Sequence, residues 1–116
     1  MLPNRMQLPL TVENQLRQLK QHTAISPNVS ARLAFFRSVE SGFTYNPEEA
    51  KKLDGSLALD KITWLGETQL ITEQVLKLKY GEIDEKELAA AWAAHVEDGI
   101  ASIRGYKTVM ALSEAI

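Results

Sequence analysis

The residues of this chain able to do chemistry are few in kind. Thirteen lysines and arginines stand against fifteen acids, with two histidines and no cysteine. Without cysteine there is no thiol nucleophile, no disulfide, no iron–sulfur ligation and no thiolate metal site. His22 and His95 are 73 residues apart, too few and too separate to make a metal site from sequence. On a helix His95 and Glu97 do not share a face, whereas His95 and Asp98 do. The plain reading is that both histidines are solvated helix residues. Glu48 and Glu49 follow Asn46-Pro47 and read as acids in a first helical turn, not as a carboxylate dyad. Phosphate-loop, dinucleotide-binding and nucleophile-elbow motifs are absent. The expectation is a chain with no catalytic residue, no metal and no cofactor.

The cations therefore carry the reading. Net charge is −2 over 116 residues, but residues 1–40 carry +3 and residues 41–116 carry −5. A basic first third suggests an anionic partner such as nucleic acid; chance clustering of surface charge is the plain alternative. The candidate nucleic-acid-binding residues are Arg5, Arg17, Lys20, Arg32, Lys51, Lys52, Lys77 and Lys79. Arg17 and Lys20, three apart on a polar helix face, make the best local patch. Lys51 and Lys52 are placed at the end of a short helix, where cations also suit the dipole. Lys77 and Lys79 flank Leu78 and are expected to frame a buried leucine. Arg37 and Glu40 read as an ion pair.

The elements that must position these side chains are well punctuated. Arg5–Leu10 alternates, with Met6, Leu8 and Leu10 on one side, the pattern of a short strand that Pro9 confines to an edge. Thr11 is a good N-cap, and Val12, Leu16 and Leu19 give an amphipathic helix over 12–22. Ser26-Pro27 starts a second helix with Val29, Leu33, Phe36 and Val39 or Glu40 as its stripe, widened by Ala34 and Phe35, and Gly42 stops it. A short helix runs from Asn46-Pro47 to Asp54-Gly55. Residues 56–65 read as irregular or extended. Gly66-Glu67-Thr68 opens a helix whose apolar positions are Leu70, Ile71, Val75 and Leu78, closed by Gly81. Asp84 with Glu87 forms a capping box for a helix over 85–104, with Leu88, Ala91, Trp92, Val96, Ile100 and Ile103 buried and Gly105 at its end. The last eleven residues read as a short helix or a frayed tail. Trp92 belongs to the core and Trp64 to the core or a subunit contact, with base stacking the sharper alternative. The composition, 45% hydrophobic, supports one domain over 1–116, mainly α with a short N-terminal strand. No apolar run is long enough to span a membrane, Gln7, Pro9 and Thr11 interrupt any signal core, and a cytoplasmic location is the default.

The order strand, helix, turn, helix over 5–42 has the grammar of a ribbon–helix–helix DNA-binding unit, with Arg5 and Gln7 on the outer side of the ribbon. The same residues also suit a helical hairpin with a leading strand. The segments LPNRMQL (2–8), SPNVSARLAFFRSVESG (26–42), KKLDGSLALDKITWLGE (51–67) and AAWAAHVEDGIASIR (90–104) closely resemble the DndE family of bacterial DNA phosphorothioation proteins, across nearly the whole chain. That resemblance implies a small α-rich protein that assembles, as a homotetramer, and binds duplex DNA with a preference for nicks through surface lysines. It also implies work beside the iron–sulfur protein, the cysteine desulfurase and the ATPase of the modification system, as a DNA-engaging component and not the catalyst. The absence of cysteine fits, because no residue can carry a persulfide. One departure stands out: Ala24 occupies the inter-helix turn where glycine is expected, at a cost of roughly 1 kcal/mol if its φ is positive.

Two other readings remain open on the sequence. One is a protein–protein adaptor that docks partners through Phe35, Phe36, Phe43, Tyr45 and Trp64 without touching DNA. The other is a transcription factor reading bases through Arg5 and Gln7.

Overall fold

A computed structural model describes residues 1–104 of the chain. The expected helix stop at Gly105 and the last eleven residues lie outside the described residues. The elements are β1 (Arg5–Met6), α1 (Leu10–Thr23), α2 (Pro27–Ser41), β2 (Leu59–Asp60), α3 (Lys61–Leu65), α4 (Gln69–Tyr80) and α5 (Glu85–Ile103), with single 3-10 turns at Pro47–Glu49 and Gly66–Thr68. The fold is mainly helical, with one two-stranded sheet, as the punctuation of the sequence predicts.

The N-terminal strand is shorter than its alternation suggests. β1 pairs antiparallel with β2 of the same chain, Arg5 opposite Asp60 and Met6 opposite Leu59. Met6 and Leu8 are buried, but Leu10 is exposed and already helical. The reason is local. Pro9 sets an extended N-cap, and the carboxylate of Asp54 accepts the Leu10 N–H at 2.9 Å, so α1 begins before Thr11 instead of after it. At its other end Ala24 takes φ 61°, the left-handed conformation, and its N–H closes the helix on the Lys20 carbonyl.

α2 packs on α5 through small residues. Ser30, Ala31, Ala34 and Ser38 are buried with Phe35, whereas Val29 is exposed and Leu33, Phe36 and Val39 are half-buried. The inward face is thus rotated from the aliphatic stripe toward the small side chains, because only these let the two backbones meet. At the contact, a β-carbon on Gly99 would lie 1.8 Å from the Ala34 carbonyl oxygen. α5 buries the six expected residues Leu88, Ala91, Trp92, Val96, Ile100 and Ile103. Its start is capped as expected, with Asp84 accepting the Glu87 N–H at 2.8 Å.

Three stretches differ from expectation. The helix expected from Asn46 is one 3-10 turn, begun by the Asn46 side chain accepting the Glu48 N–H at 3.1 Å. The ambiguous stretch 56–65 divides into β2 and α3, because Asp60 caps the Thr63 N–H at 2.8 Å and starts a turn there. α4 has its faces reversed: Thr72, Glu73 and Leu76 are buried, while Leu70, Ile71 and Leu78 are exposed. Leu78 is therefore not a buried leucine framed by lysines.

Candidate nucleic-acid interface

α1 presents one uninterrupted polar face. Val12, Leu16, Leu19 and Thr23 face the core, which leaves Asn14, Arg17, Gln18, Lys20 and Gln21 outward and exposed. The helix has one acid, Glu13, and it is buried. Glu13 accepts the Leu57 N–H at 2.6 Å and the Ser56 hydroxyl at 2.8 Å. Burial pushes its carboxyl up, but the hydrogen bonds from Leu57 and Ser56 and the nearby Arg17 outweigh burial and hold it below the usual carboxylate range. Its charge is thereby tied to the 54–57 loop, and the solvent face of α1 carries cations and amides with no exposed acid. Arg17 lies 3.5 Å from Glu13 and 3.4 Å from the Ser56 hydroxyl, contacts loose enough to leave half of its side chain in solvent. Lys20 makes no ion pair among the described residues.

The other cations lie elsewhere. The Arg5 guanidinium donates to the Ala58 carbonyl, one strand-length along the β1–β2 pair. Arg5 shares a shallow groove with Lys86, and Lys86 shares the adjoining groove with Lys51 and Lys52, Leu53 lining both. Lys86 was not among the sequence candidates. Its signal was hidden by Asp84, Glu85 and Glu87 around it, and the same acids line these grooves and reduce their positive potential. Lys51 is further neutralised by Glu97 at 2.7 Å. Neither Lys51 nor Lys52 ends a helix, since both follow the 3-10 turn. Lys77 and Lys79 are exposed on α4, Lys77 lying 3.5 Å from Glu82.

Arg32 has a structural task. Its Nε donates to the Trp64 carbonyl at 2.8 Å and its Nη2 to the Thr63 carbonyl at 2.9 Å, satisfying the C-terminal end of α3. Those are the donors a phosphate would take. Gly66, at φ 52°, lets this guanidinium approach, because a β-carbon there would sit 2.7 Å from Nη2. Arg37 donates to the Ser102 hydroxyl at 2.9 Å, not to Glu40 as its spacing suggested.

The histidines separate. His22 is exposed at the end of α1. His95 is fully buried, against the expectation of a solvated residue, between the Ser38 hydroxyl at Nδ1 (2.9 Å) and the Tyr80 hydroxyl at Nε2 (2.6 Å). Burial, reinforced by the charge of Lys79, lowers its pKa to about 4. Trp64 and Trp92 are both buried in edge-to-face contact at 5.4 Å, and Trp64 donates to the Met6 carbonyl at 2.9 Å. Neither offers a face to a base. Phe35, Tyr45 and Trp64 are buried and Phe36 and Phe43 half-buried, so these rings do not form the docking surface an adaptor would use. Among the described residues no group of three or more acids and histidines gathers as a metal site, and no helix is long and apolar enough to cross a membrane.

This combination defines a small helical protein that offers a cationic, amide-rich helix face. The family model described as DNA sulphur modification protein DndE matches residues 5–111, and the chain belongs to the DndE family. It is 64% identical to DndE from Escherichia coli B7A, whose crystal structure is described as involved in DNA phosphorothioation modification; the match covers 88% of this chain and 99% of that one, with a TM-score of 0.85. A glycine-to-lysine mutant of DndE involved in DNA phosphorothioation is likewise 64% identical, covering 87% of this chain and 97% of that one, with a TM-score of 0.82. No curated protein sequence matches the chain.

Proposed function

We propose that this chain is a non-catalytic DNA-binding component of the DNA sulphur modification system, engaging duplex DNA through lysine– and arginine–phosphate contacts and preferring nicked duplex. Its place in that system follows from the family. The observation that carries the DNA contact is the outer face of α1, where Arg17 and Lys20 stand beside Asn14, Gln18 and Gln21 with no exposed acid on the helix. Cations of this kind neutralise phosphates, and amides hydrogen-bond sugar, phosphate or base edges. Lys52 and Lys79, exposed and without ion pairs among the described residues, extend the contact. Arg5, Lys51 and Lys77 contribute less, since each already has a partner within the chain. A nick is preferred because it lets the duplex bend cheaply onto a basic surface. The working form is a cytoplasmic homo-oligomer, a tetramer, acting beside the iron–sulfur protein and the ATPase of the system.

The test is a salt titration of binding to matched intact and nicked duplexes, with mass by light scattering on the same samples. Log K should fall by about 0.9 per neutralised phosphate for each decade of salt. Tighter binding to the nicked duplex is expected. A flat salt response, or no binding at low salt, overturns the reading.

A further inference from the structure

The strand that a ribbon would use offers nothing to a base. β1 pairs with β2 of its own chain. The Arg5 guanidinium donates to the Ala58 carbonyl, and the Gln7 amide donates to the Gly55 carbonyl at 2.7 Å. Both polar side chains of the strand are engaged inside the fold. The polar groups left open are on α1. Asn14, Arg17 and Gln18 are exposed side by side, at the i, i+3 and i+4 positions of one helix face. Phosphate neutralisation accounts for Arg17 and for Lys20 at the edge of the face, but not for the amides, which carry no charge. Neither amide side chain is hydrogen-bonded within the described residues. Each presents a donor and an acceptor together, the complement of what adenine displays at N7 and N6 in the major groove.

Arg17 is also oriented. Its Nη2 lies 3.5 Å from the buried Glu13 carboxylate and 3.4 Å from the Ser56 hydroxyl, and that hydroxyl donates to Glu13 at 2.8 Å. One side of the guanidinium is steadied while half of the side chain stays in solvent. An arginine buttressed in this way presents a planar fork, which matches O6 and N7 of guanine. We propose that α1 lies in the major groove and reads base edges, Arg17 pairing with a guanine and Asn14 and Gln18 with adenines, while Lys20 holds a flanking phosphate. This inference rests on the DNA binding proposed above and adds a sequence preference to it. The major groove, about 12 Å wide, admits a single helix. Asn14 to Gln18 covers about 6 Å of helix axis, so the site read is short, about three base pairs at about 3.4 Å each. The exposed Asp54 carboxylate is held by the Leu10 N–H at the start of the helix, one turn before Asn14, so its charge bears on the helix end and not on the reading row.

The experiment selects duplexes bound by the full chain from a pool randomised over one helical turn. Affinities are then measured for the selected duplex and for one of unrelated sequence, with the wild type, Gln18→Ala, Arg17→Lys and Lys20→Gln. All three side chains are exposed, and thermal midpoints verify that the variants fold. The wild type is expected to prefer a short site containing guanine and adenine by about a hundredfold. Gln18→Ala lowers that ratio about tenfold. Arg17→Lys keeps the charge and the salt slope but loses the fork, and the guanine preference falls about tenfold. Lys20→Gln lowers the salt slope and keeps the ratio. Equal binding to all duplexes overturns base reading and leaves the DNA contact standing. A preference that survives Gln18→Ala or Arg17→Lys in a folded protein overturns the reading of that base by α1. No binding at low salt overturns the DNA contact and this inference with it.

Discussion

The Nε2 atom of His95 lies 2.6 Å from the hydroxyl of Tyr80, and this contact ties the buried imidazole of α5 to the end of α4. The Tyr80 oxygen also accepts the Tyr45 N–H at 2.9 Å. The Ser38 hydroxyl meets the other ring nitrogen, Nδ1, at 2.9 Å. A hydrogen-bonded chain thus joins the 43–46 loop, α4, α5 and α2 through the buried imidazole.

This arrangement has a pH signature. The pKa of His95 falls from 6.5 to about 4 on folding, so between those values the unfolded chain binds the extra proton. Stability from this group is fully present above pH 6.5 and is lost as pH falls toward 4; the whole loss is about 3 kcal/mol. Glu13, with its pKa lowered from 4.5, adds loss only at lower pH, as it is protonated in turn. Urea titrations from pH 7 downward should show the decline starting near neutrality in the wild type. In His95→Asn the protein should be weaker at pH 7 but nearly flat down to the carboxylate range. An unchanged pH slope in that variant would refute the assignment.

Gly99 is the point of closest approach between α5 and α2. Adding one methyl by Gly99→Ala places it against the Ala34 carbonyl, backbone that yields only if a helix moves. The expected cost is about 3 kcal/mol, the upper end for overpacking. On the same helix, the solvent-facing substitution Ala101→Gly should cost only about 1 kcal/mol. Urea midpoints of the two variants make the comparison.

Ala24 holds a conformation suited to glycine, with φ 61°. Ala24→Gly should stabilise the monomer unit by about 0.5 to 1 kcal/mol, the relief of strain exceeding the added freedom of the unfolded chain. A fall in the denaturation midpoint would show that the alanine methyl is held by a favourable contact.

Arg32 and Lys20 should behave as opposites. Arg32→Ala takes the guanidinium from the Trp64 carbonyl and leaves the Thr63 carbonyl to Asn28 alone; it should cost about 2 kcal/mol of stability while leaving the salt dependence of DNA binding unchanged. Lys20→Gln should leave the thermal midpoint in place and reduce the salt slope by about 0.9. Both are read from melting curves and binding titrations on the same preparations.

Much of this molecule was legible before folding was considered. Ser26-Pro27 and Asp84 announce helix starts because caps act within one turn, and the stripe from Leu88 to Ile103 announces a buried face because its spacing matches the helical repeat. The conformation of Ala24 was left open by the sequence, and the structure gives it the positive φ of 61°. The family resemblance was readable too, since it lies in the residues themselves. What a neighbour does to a side chain was not. The spacing of α4 pointed to the wrong face, because Glu73 is a solvated acid until Leu2 and Lys61 come to meet it. Arg32 is a phosphate ligand by type until two carbonyls 31 and 32 residues away occupy it. His95 is a surface histidine by pattern until Ser38 and Tyr80 enclose it. In the sequence, Glu13 cancels a charge on α1; in the fold it is buried in the 54–57 loop and leaves the helix face cationic. Local hydrogen bonding and periodicity are properties of short segments, and the sequence determined them alone. Which polar group is desolvated, paired or left in water depends on contacts between distant segments, and only the tertiary structure decided those.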